Sequence, residues 1–333
     1  WKCLWEHREG KKQIKKGKFM KILFTSIGRR VELIQAFKLA SEDLDIDLEI
    51  HGSDISQSAP ALMFCDKTVI TPRIKDNKYI PFLQEYCFKN DIDALIPTID
   101  TDLMLLSQNK KNFGKTKVII SAEDKVKLCR DKRYTADYFN SLGLESPYPI
   151  DEWTKYNGGY PAFIKPKDGS SSISAFKVEN EKELELFAEQ VPDYIIQPYI
   201  SGTEYTVDIF CDFDGNPIFI TPRIRLAVRS GEVLKTEIAQ DHIIIEEIKR
   251  LIADYKPCGQ ITVQLIRQDI TEKDYYIEIN PRFGGGAPLS IKAGADSAKA
   301  LLELLNGKKL EYVSLAAEDG AVFSRFDQSI KVN

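Results

Sequence analysis

Tyr275–Tyr276–Ile277–Glu278–Ile279–Asn280–Pro281–Arg282–Phe283–Gly284–Gly285–Gly286 reads as a β-strand that ends in a glycine-rich turn. Side chains at i and i+2 share one strand face. Glu278 and Asn280 therefore present a carboxylate and an amide oxygen side by side, with Arg282 just beyond them. Two hard oxygen ligands beside a guanidinium suit the joint holding of Mg²⁺ and a polyphosphate.

Upstream, Gln260 to Ile266 forms a second strand, and only a short polar turn separates the two. A hairpin of this kind sets Gln264 beside Glu278. Glu204 to Phe210 alternates as a half-buried strand, and Asp214–Gly215 marks a hairpin turn. Thr221 to Arg229 also alternates, which puts Arg223, Arg225 and Arg229 on one face. Further back, the apolar strand Ala162–Phe163–Ile164–Lys165 feeds the loop Asp168–Gly169–Ser170–Ser171–Ser172, and Ala175 to Val178 resumes as strand. Lysine at a strand end followed by Gly and Ser provides an ammonium and free backbone N–H groups for phosphate oxygens. Glu181 to Gln190 reads as a helix, Tyr194 to Ile200 as a strand with a proline, and Ala298 to Leu305 as a helix.

The first third has a different grain. Lys21–Ser26, Leu48–Asp54, Thr68–Ile70, Ala94–Pro97 and Val118–Ile120 are short apolar runs separated by helical stretches, of which Val31 to Ala40 is the clearest. Such alternation implies a parallel, helix-covered sheet. Gly28 after the first strand and Asp54 after the second suggest a dinucleotide turn, but GxGxxG is absent and an NAD site is not expected. Lys125 to Leu142 reads as one helix.

Composition narrows the function classes. The 333 residues are 43% hydrophobic and 29% charged, which is ordinary for a globular chain of two or three domains. A net charge of −4 argues against a general nucleic-acid binder. The six cysteines are scattered without CxxC spacing, so neither a disulfide frame nor a zinc site is expected, and free thiols point to the cytoplasm. The three histidines, His7, His51 and His242, do not cluster, which disfavours Ser–His–Asp and Cys–His chemistry. No apolar run reaches the length of a membrane span. Residues 1–19 are basic and read as an extension before the fold, with a partner-contacting arm as the other reading.

Four blocks in this order resemble the ATP-grasp superfamily, in particular single-copy relatives of the carbamoyl-phosphate synthase large subunit. The resemblance spans roughly Met20 to Leu310. It implies an α/β and α+β fold: a Rossmann-like pre-ATP-grasp domain over residues 20–122, then a two-lobed ATP-grasp domain over residues 123–333 with a mobile lid lobe at about 150–200. In Cys129–Arg130–Asp131–Lys132–Arg133, Lys132 would contact nucleotide phosphates. Lys165 would meet the α/β phosphates, wrapped by Gly169, Ser170, Ser171 and Ser172; Ser174 stands where the family often has glycine. In Gln197–Pro198–Tyr199–Ile200 the backbone would read adenine, with Pro198 giving only its carbonyl and Ile200 an N–H, and Glu204 would bind ribose. Gln264, Glu278 and Asn280 would hold two Mg²⁺ ions, with Mn²⁺ as an alternative, and Arg282 would steady the γ-phosphoryl. Catalysis would rest on Arg282, Lys165 and Arg225, and since the segment Arg223 to Arg229 corresponds to one near the acceptor substrate in relatives, at least one of Arg223, Arg225 and Arg229 would bind a substrate carboxylate or the acyl-phosphate.

The implied reaction is ATP-dependent ligation: a carboxylate becomes an acyl-phosphate and an amine attacks it. Positioning and charge stabilisation suffice for this, without a protein nucleophile. Partners would be small carboxylates and amines, with no nucleic acid and no membrane; a homodimer is compatible. The rivals are a carbamoyl-phosphate-forming enzyme, which in full resembles two such units with a glutaminase, a biotin-dependent carboxylase, for which no biotin-handling segment is found, and a non-catalytic ATP sensor.

Overall fold

The computed structural model describes residues 19–169 and 174–332. The first sheet is built from β1 (Phe19–Thr25), β2 (Asp47–Asp54), β3 (Lys67–Ile70), β4 (Ala94–Pro97) and β5 (Lys117–Val118), all parallel in the order β3-β2-β1-β4-β5. The helices α1 (Val31–Asp43), α2 (Tyr79–Asn90) and α3 (Leu103–Asn109) cover it. α1 buries Leu33, Ile34, Phe37 and Ala40, a spacing of three and four that keeps one helical face inward. β1 and β2 run in one direction across the sheet and β4 starts the other, so the order reverses between β1 and β4. Ligand crevices form beyond the carboxyl ends of strands at such a reversal.

Two corrections follow for this half. The stretch Lys125 to Leu142 is two helices, α4 (Glu123–Arg130) and α5 (Lys132–Ser141). Asp131 between them is extended, at φ −106° and ψ 116°, and its carboxylate accepts the Arg133 backbone N–H at 2.9 Å. An Asp cap of this kind ends one helix and starts the next, which the apolar periodicity alone does not reveal. Ile119 and Ile120 lie past the short β5.

A small antiparallel sheet, β7-β6-β8, follows, formed by β6 (Ala162–Pro166), β7 (Phe176–Val178) and β8 (Tyr194–Pro198) with α6 (Glu181–Gln190). Asn180 accepts from the Glu183 N–H, and the Glu183 side chain accepts from the Glu179 N–H, so paired caps fix where α6 starts.

The third sheet has the order β13-β12-β9-β10-β11-β14 and every neighbouring pair is antiparallel. Its strands are β9 (Gly202–Cys211), β10 (Pro217–Arg229), β11 (Glu232–Ile238), β12 (Gly259–Gln268), β13 (Asp274–Asn280) and β14 (Val322–Ser324). α7 (His242–Tyr255) presses Ile244, Ile245, Ile248, Leu251, Ile252 and Tyr255 into it. Each such side chain contributes about 2 kcal/mol by leaving water. Cutting one back to alanine costs roughly 2–5 kcal/mol because the cavity does not fully close. α8 (Ala287–Lys292) and α9 (Ser297–Leu305) then return to the first domain.

One core cluster joins the two ends of the chain. Phe24 and Phe37 of the first domain pack with Phe283, Ala287, Leu301 and Leu302, and the Phe37 and Phe283 rings lie 5.9 Å apart, edge to face. The turn after β13 is therefore pinned against the first domain, which places Arg282 to Gly286 at the seam between them.

Candidate functional site

The hairpin β12–β13 sets Gln264 opposite Glu278 and Thr262 opposite Asn280. A bulge at the next step, where Leu265 pairs with Tyr276, leaves Glu278 and Asn280 on one face. The Asn280 amide donates to Glu278 Oε1 at 2.9 Å. The donor set is thus one carboxylate and two amide oxygens. Among the described residues no group of three His, Cys, Asp or Glu could hold a metal alone. A Mg²⁺ site of one carboxylate needs further oxygen, and phosphate supplies it; the residues present fit a metal bound together with a nucleotide.

The same cleft, of about 240 Å³, is lined by Lys132, Lys165, Gly169, Glu204, Arg225, Gln264, Glu278, Asn280 and Arg282. Lys165 is 8% exposed, and among the described residues its ammonium has no ion-pair partner. Burial pushes its pKa down to about 8, the charge of Lys132 adds to the shift, and Glu278 opposes it. A buried ammonium beside another ammonium fits a site for a polyanion. Lys132 opens α5, gives its N–H to the Lys167 carbonyl and its ammonium to the Gly169 carbonyl, both at 2.9 Å. Gly169 has φ +105°, and Ser174 has φ +56°, the left-handed region where glycine is at ease. The chain thus places serine in the backbone conformation that glycine favours. Ser170, Ser171 and Ser172 lie outside the described residues.

The hinge behaves differently. Gln197, Pro198, Tyr199 and Ile200 are not among the residues lining this cleft. Gln197 is buried and its side chain donates to the Pro147 carbonyl, while the Tyr199 N–H donates to the Pro161 carbonyl at 3.1 Å. The hinge touches the cleft through Phe163, whose ring centre lies 6.3 Å from that of Tyr199.

The three arginines of β10 do not share one role. Register shifts between Arg225 and Val228 break the alternation, and Arg229 turns out to an exposed pair with Asp327 at 2.9 Å. Arg229 is not among the residues lining the cleft, whereas Arg223 and Arg225 are. Arg225 meets Glu204 at 3.1 Å, the Gly231 carbonyl at 3.1 Å and Thr206 Oγ1 at 3.4 Å. Burial, and then the neighbouring Arg223, lower the Arg225 pKa. Arg223 is 2% exposed and gives its Nε–H to Asp208 at 2.8 Å.

Several site residues escaped the sequence reading. Arg282 Nη2 donates to Asp100 Oδ2 at 2.5 Å, so the first domain holds that guanidinium. Arg30 lies 3.8 Å from Glu232 and reaches the Thr98 carbonyl at 3.4 Å. Burial and then the charge of Arg282 lower its pKa, against Glu232 and Asp100. Thr98 and Asp100 follow β4, and Arg30 follows β1, at the reversal of the first sheet. Polar residues just past those strand ends were the available signal. The glycine triplet is explained by these neighbours. A Cβ on Gly284 would lie 2.9 Å from Thr262 Oγ1, on Gly285 2.0 Å from Glu232 Oε2 and 2.6 Å from Arg30 Nη1, and on Gly286 2.4 Å from Arg223 Nη2.

The site lies in an ATP-grasp domain, whose family model matches residues 129–286. The domain before it, residues 22–121, is a PylC-like N-terminal domain. A 3-methyl-D-ornithine–L-lysine ligase of Methanosarcina acetivorans is 26% identical over 291 residues, which are 86% of this chain and 75% of that protein. A carbamoyl-phosphate synthase of Methanobrevibacter smithii is 22% identical over 61% of this chain and 55% of its own. The biotin carboxylase domain of Hydrogenobacter thermophilus 2-oxoglutarate carboxylase, solved with MgADP and bicarbonate, superposes with a TM-score of 0.73 at 15% identity, over 90% of this chain and 73% of that one. The fold and the ligase homologues support ATP-dependent joining of a carboxylate to an amine, a C–N bond-forming ligation. ATP-grasp enzymes bind ATP and Mg²⁺. Among the described residues no helix is long and apolar enough to cross a membrane.

Proposed function

We propose that this chain ligates two amino acids, at least one of them carrying a second ammonium group. The observation that carries the reading is the mixed charge at the seam. Arg30, Arg223, Arg225 and Arg282 are interleaved there with Asp100, Glu204 and Glu232. A zwitterion needs both signs within a few ångströms, whereas a bicarbonate site needs only cations. The diamino-acid character of the methanosarcinal ligase's substrates, ornithine-type and lysine, agrees with that pattern.

Roles follow from position. Lys132 and Lys165 hold the phosphates, with Gly169 beside them; Ser170, Ser171 and Ser172, read from the sequence as further donors, lie outside the described residues. Tyr199 already spends its N–H on Pro161 and Pro198 has none, so Ile200 is the hinge residue that offers an N–H to adenine, and Glu204 takes the ribose. Gln264, Glu278 and Asn280 hold two Mg²⁺ ions, with Mn²⁺ able to replace them. Mg-ATP supplies the phosphoryl group that turns a carboxylate into an acyl-phosphate. Arg282 leaves Asp100 to meet the charge on the transferring group, and Arg225 steadies the activated carboxylate. The lobe over residues 150–200 closes on the nucleotide and keeps water from the activated carboxylate. The chain acts in the cytoplasm.

The test is a matrix of amino-acid pairs, including lysine and ornithine, incubated with the purified protein and Mg-ATP. ADP release is followed together with product mass. A product at the summed mass of the pair less one water, with one ADP each, is expected. ADP release that no pair stimulates, in a protein that binds ATP, would leave the sensor reading in its place.

A further inference from the structure

Arg223 is the most deeply buried of the four seam arginines. It is 2% exposed and sits under the cleft wall. Its Nε–H is spent on Asp208, and Asp208 is itself fixed by Ser290 Oγ at 2.7 Å and Thr262 Oγ1 at 3.4 Å. That pair locks the guanidinium without using its Nη edge. Among the described residues Nη1 has no hydrogen-bond partner although it is buried. A buried donor of this kind is costly unless a partner satisfies it. Gly286 clears the space, since any Cβ there would stand 2.8 Å from Arg223 Cζ. Among the described residues Arg225 and Arg282 each also leave a buried Nε without a hydrogen-bond partner, but the Nη edge of Arg225 is already taken by Thr206 and the Gly231 carbonyl and that of Arg282 by Asp100.

We infer that Arg223 is the receptor for the unreacted carboxylate of the amine-bearing amino acid, with Asp208 as its positioning residue. The ammonium or amine end of that substrate then points along the seam toward Glu232 and Asp100. The reacting carboxylate is a different one. It must lie beside Gln264, Glu278, Asn280 and Arg282, whereas Arg223 is half neutralised by Asp208 and is built to orient a charge that does not change. The inference rests on the amino-acid ligation proposed above and names which end of which substrate Arg223 reads.

Binding separates the inference from the reaction. The full chain with Mg-ADP is titrated calorimetrically with the common L-amino acids, D-ornithine and L-ornithine, and each is compared with its carboxamide. At least one free acid binds, and its amide binds on the order of tenfold more weakly, because a charge-assisted pair is lost. In Arg223→Gln that preference falls to within about twofold, and Arg223→Lys restores part of it, since lysine keeps the charge but not the fork. Should Arg223→Gln unfold because Asp208 is left alone, Gly286→Ala displaces the guanidinium while keeping its partner, and the same loss of preference is expected. A preference that survives in both variants, amides that bind as well as acids, or no binding by any free acid overturns the inference. Binding that follows the expected pattern without any ligation would overturn the proposed reaction instead.

Discussion

The two ends of the cleft are held in different ways. At the nucleotide end the polar and charged groups are placed by the strands that carry them: Lys165 by β6, Gln264, Glu278 and Asn280 by facing strands of one hairpin. At the seam the charged groups are placed by one another across the chain. Asp100 holds Arg282, Asp208 holds Arg223, and Glu232 faces Arg30. Backbone spacing makes the first end rigid before ligand arrives. At the second end Arg282 and Arg30 sit in ion pairs that a substrate of the proposed kind would enter by exchanging partners, while Asp208 keeps Arg223 fixed. Substitutions at the two ends therefore separate phosphate chemistry from substrate choice.

Glu278→Gln gives the largest effect. It removes the one carboxylate of the metal set while keeping the hydrogen bond to Asn280 within reach. Ligation falls on the order of 10³-fold, the scale of losing a principal electrostatic stabiliser. Amino-acid binding to the seam stays within about twofold of wild type, as measured by calorimetry. A parallel collapse of amino-acid affinity would mean the two ends are one unit.

Lys165 comes next, and its pH dependence has a sign. In the nucleotide-free protein its pKa is about 8, below the ordinary value of 10.5. Between those values the unfolded chain keeps a proton that the folded chain has released, so folding becomes more favourable as pH rises through the window. Lys165→Met is therefore more stable than wild type at pH 7, and the gap closes by about pH 10.5. Phosphate favours the charged form, so Mg-ATP affinity of the wild type falls as pH climbs past about 8, by at most ~10-fold per unit. Melting curves and nucleotide titrations at pH 7, 8.5 and 10 check both. A flat affinity profile, or equal profiles for the two proteins, would show that the ammonium does not meet the phosphates.

Gly285→Ala works at the other end. The new methyl group would overlap Glu232 Oε2 and Arg30 Nη1, both tips of flexible side chains, so the fold survives while that pair moves apart. Ligation drops roughly tenfold through KM for the amino acids, since one charged contact is disturbed. Mg-ATP affinity should not change. A loss of nucleotide binding instead would place Glu232 and Arg30 at the phosphate end.

What could be read beforehand follows the same division. Glu278 next to Gln264 was legible because strand period and a short hairpin determine both positions. A parallel, helix-covered sheet was implied by alternating β and α runs, though not its strand order, and the helix Glu181–Gln190 has the ends the sequence suggests because its caps lie in the local sequence. The break at Asp131 is not marked by apolar periodicity, which runs through it. Asp100, Arg30 and Glu232 were missed because their partners are 182, 202 and 202 residues away in the chain, and no local pattern reports a contact at that range. α7 and the strand β11 were not singled out either, although their apolar residues are plain once the sheet that receives them is known.

Arg229 closes the series with the smallest effect, and it tests the alternation argument directly. Strict alternation from Arg223 puts Arg229 on the substrate face. The irregular pairing between Arg225 and Val228 rotates it away, and it ends in an ion pair with Asp327, both side chains being mostly exposed. Exposed pairs of this type are screened by salt and contribute little. Arg229→Ala should leave the melting temperature and the KM for both amino acids within experimental error, at low salt and at high. A tenfold rise in KM would mean that Arg229 leaves Asp327 when substrate arrives and that the seam extends one strand turn further than its resting ion pairs show.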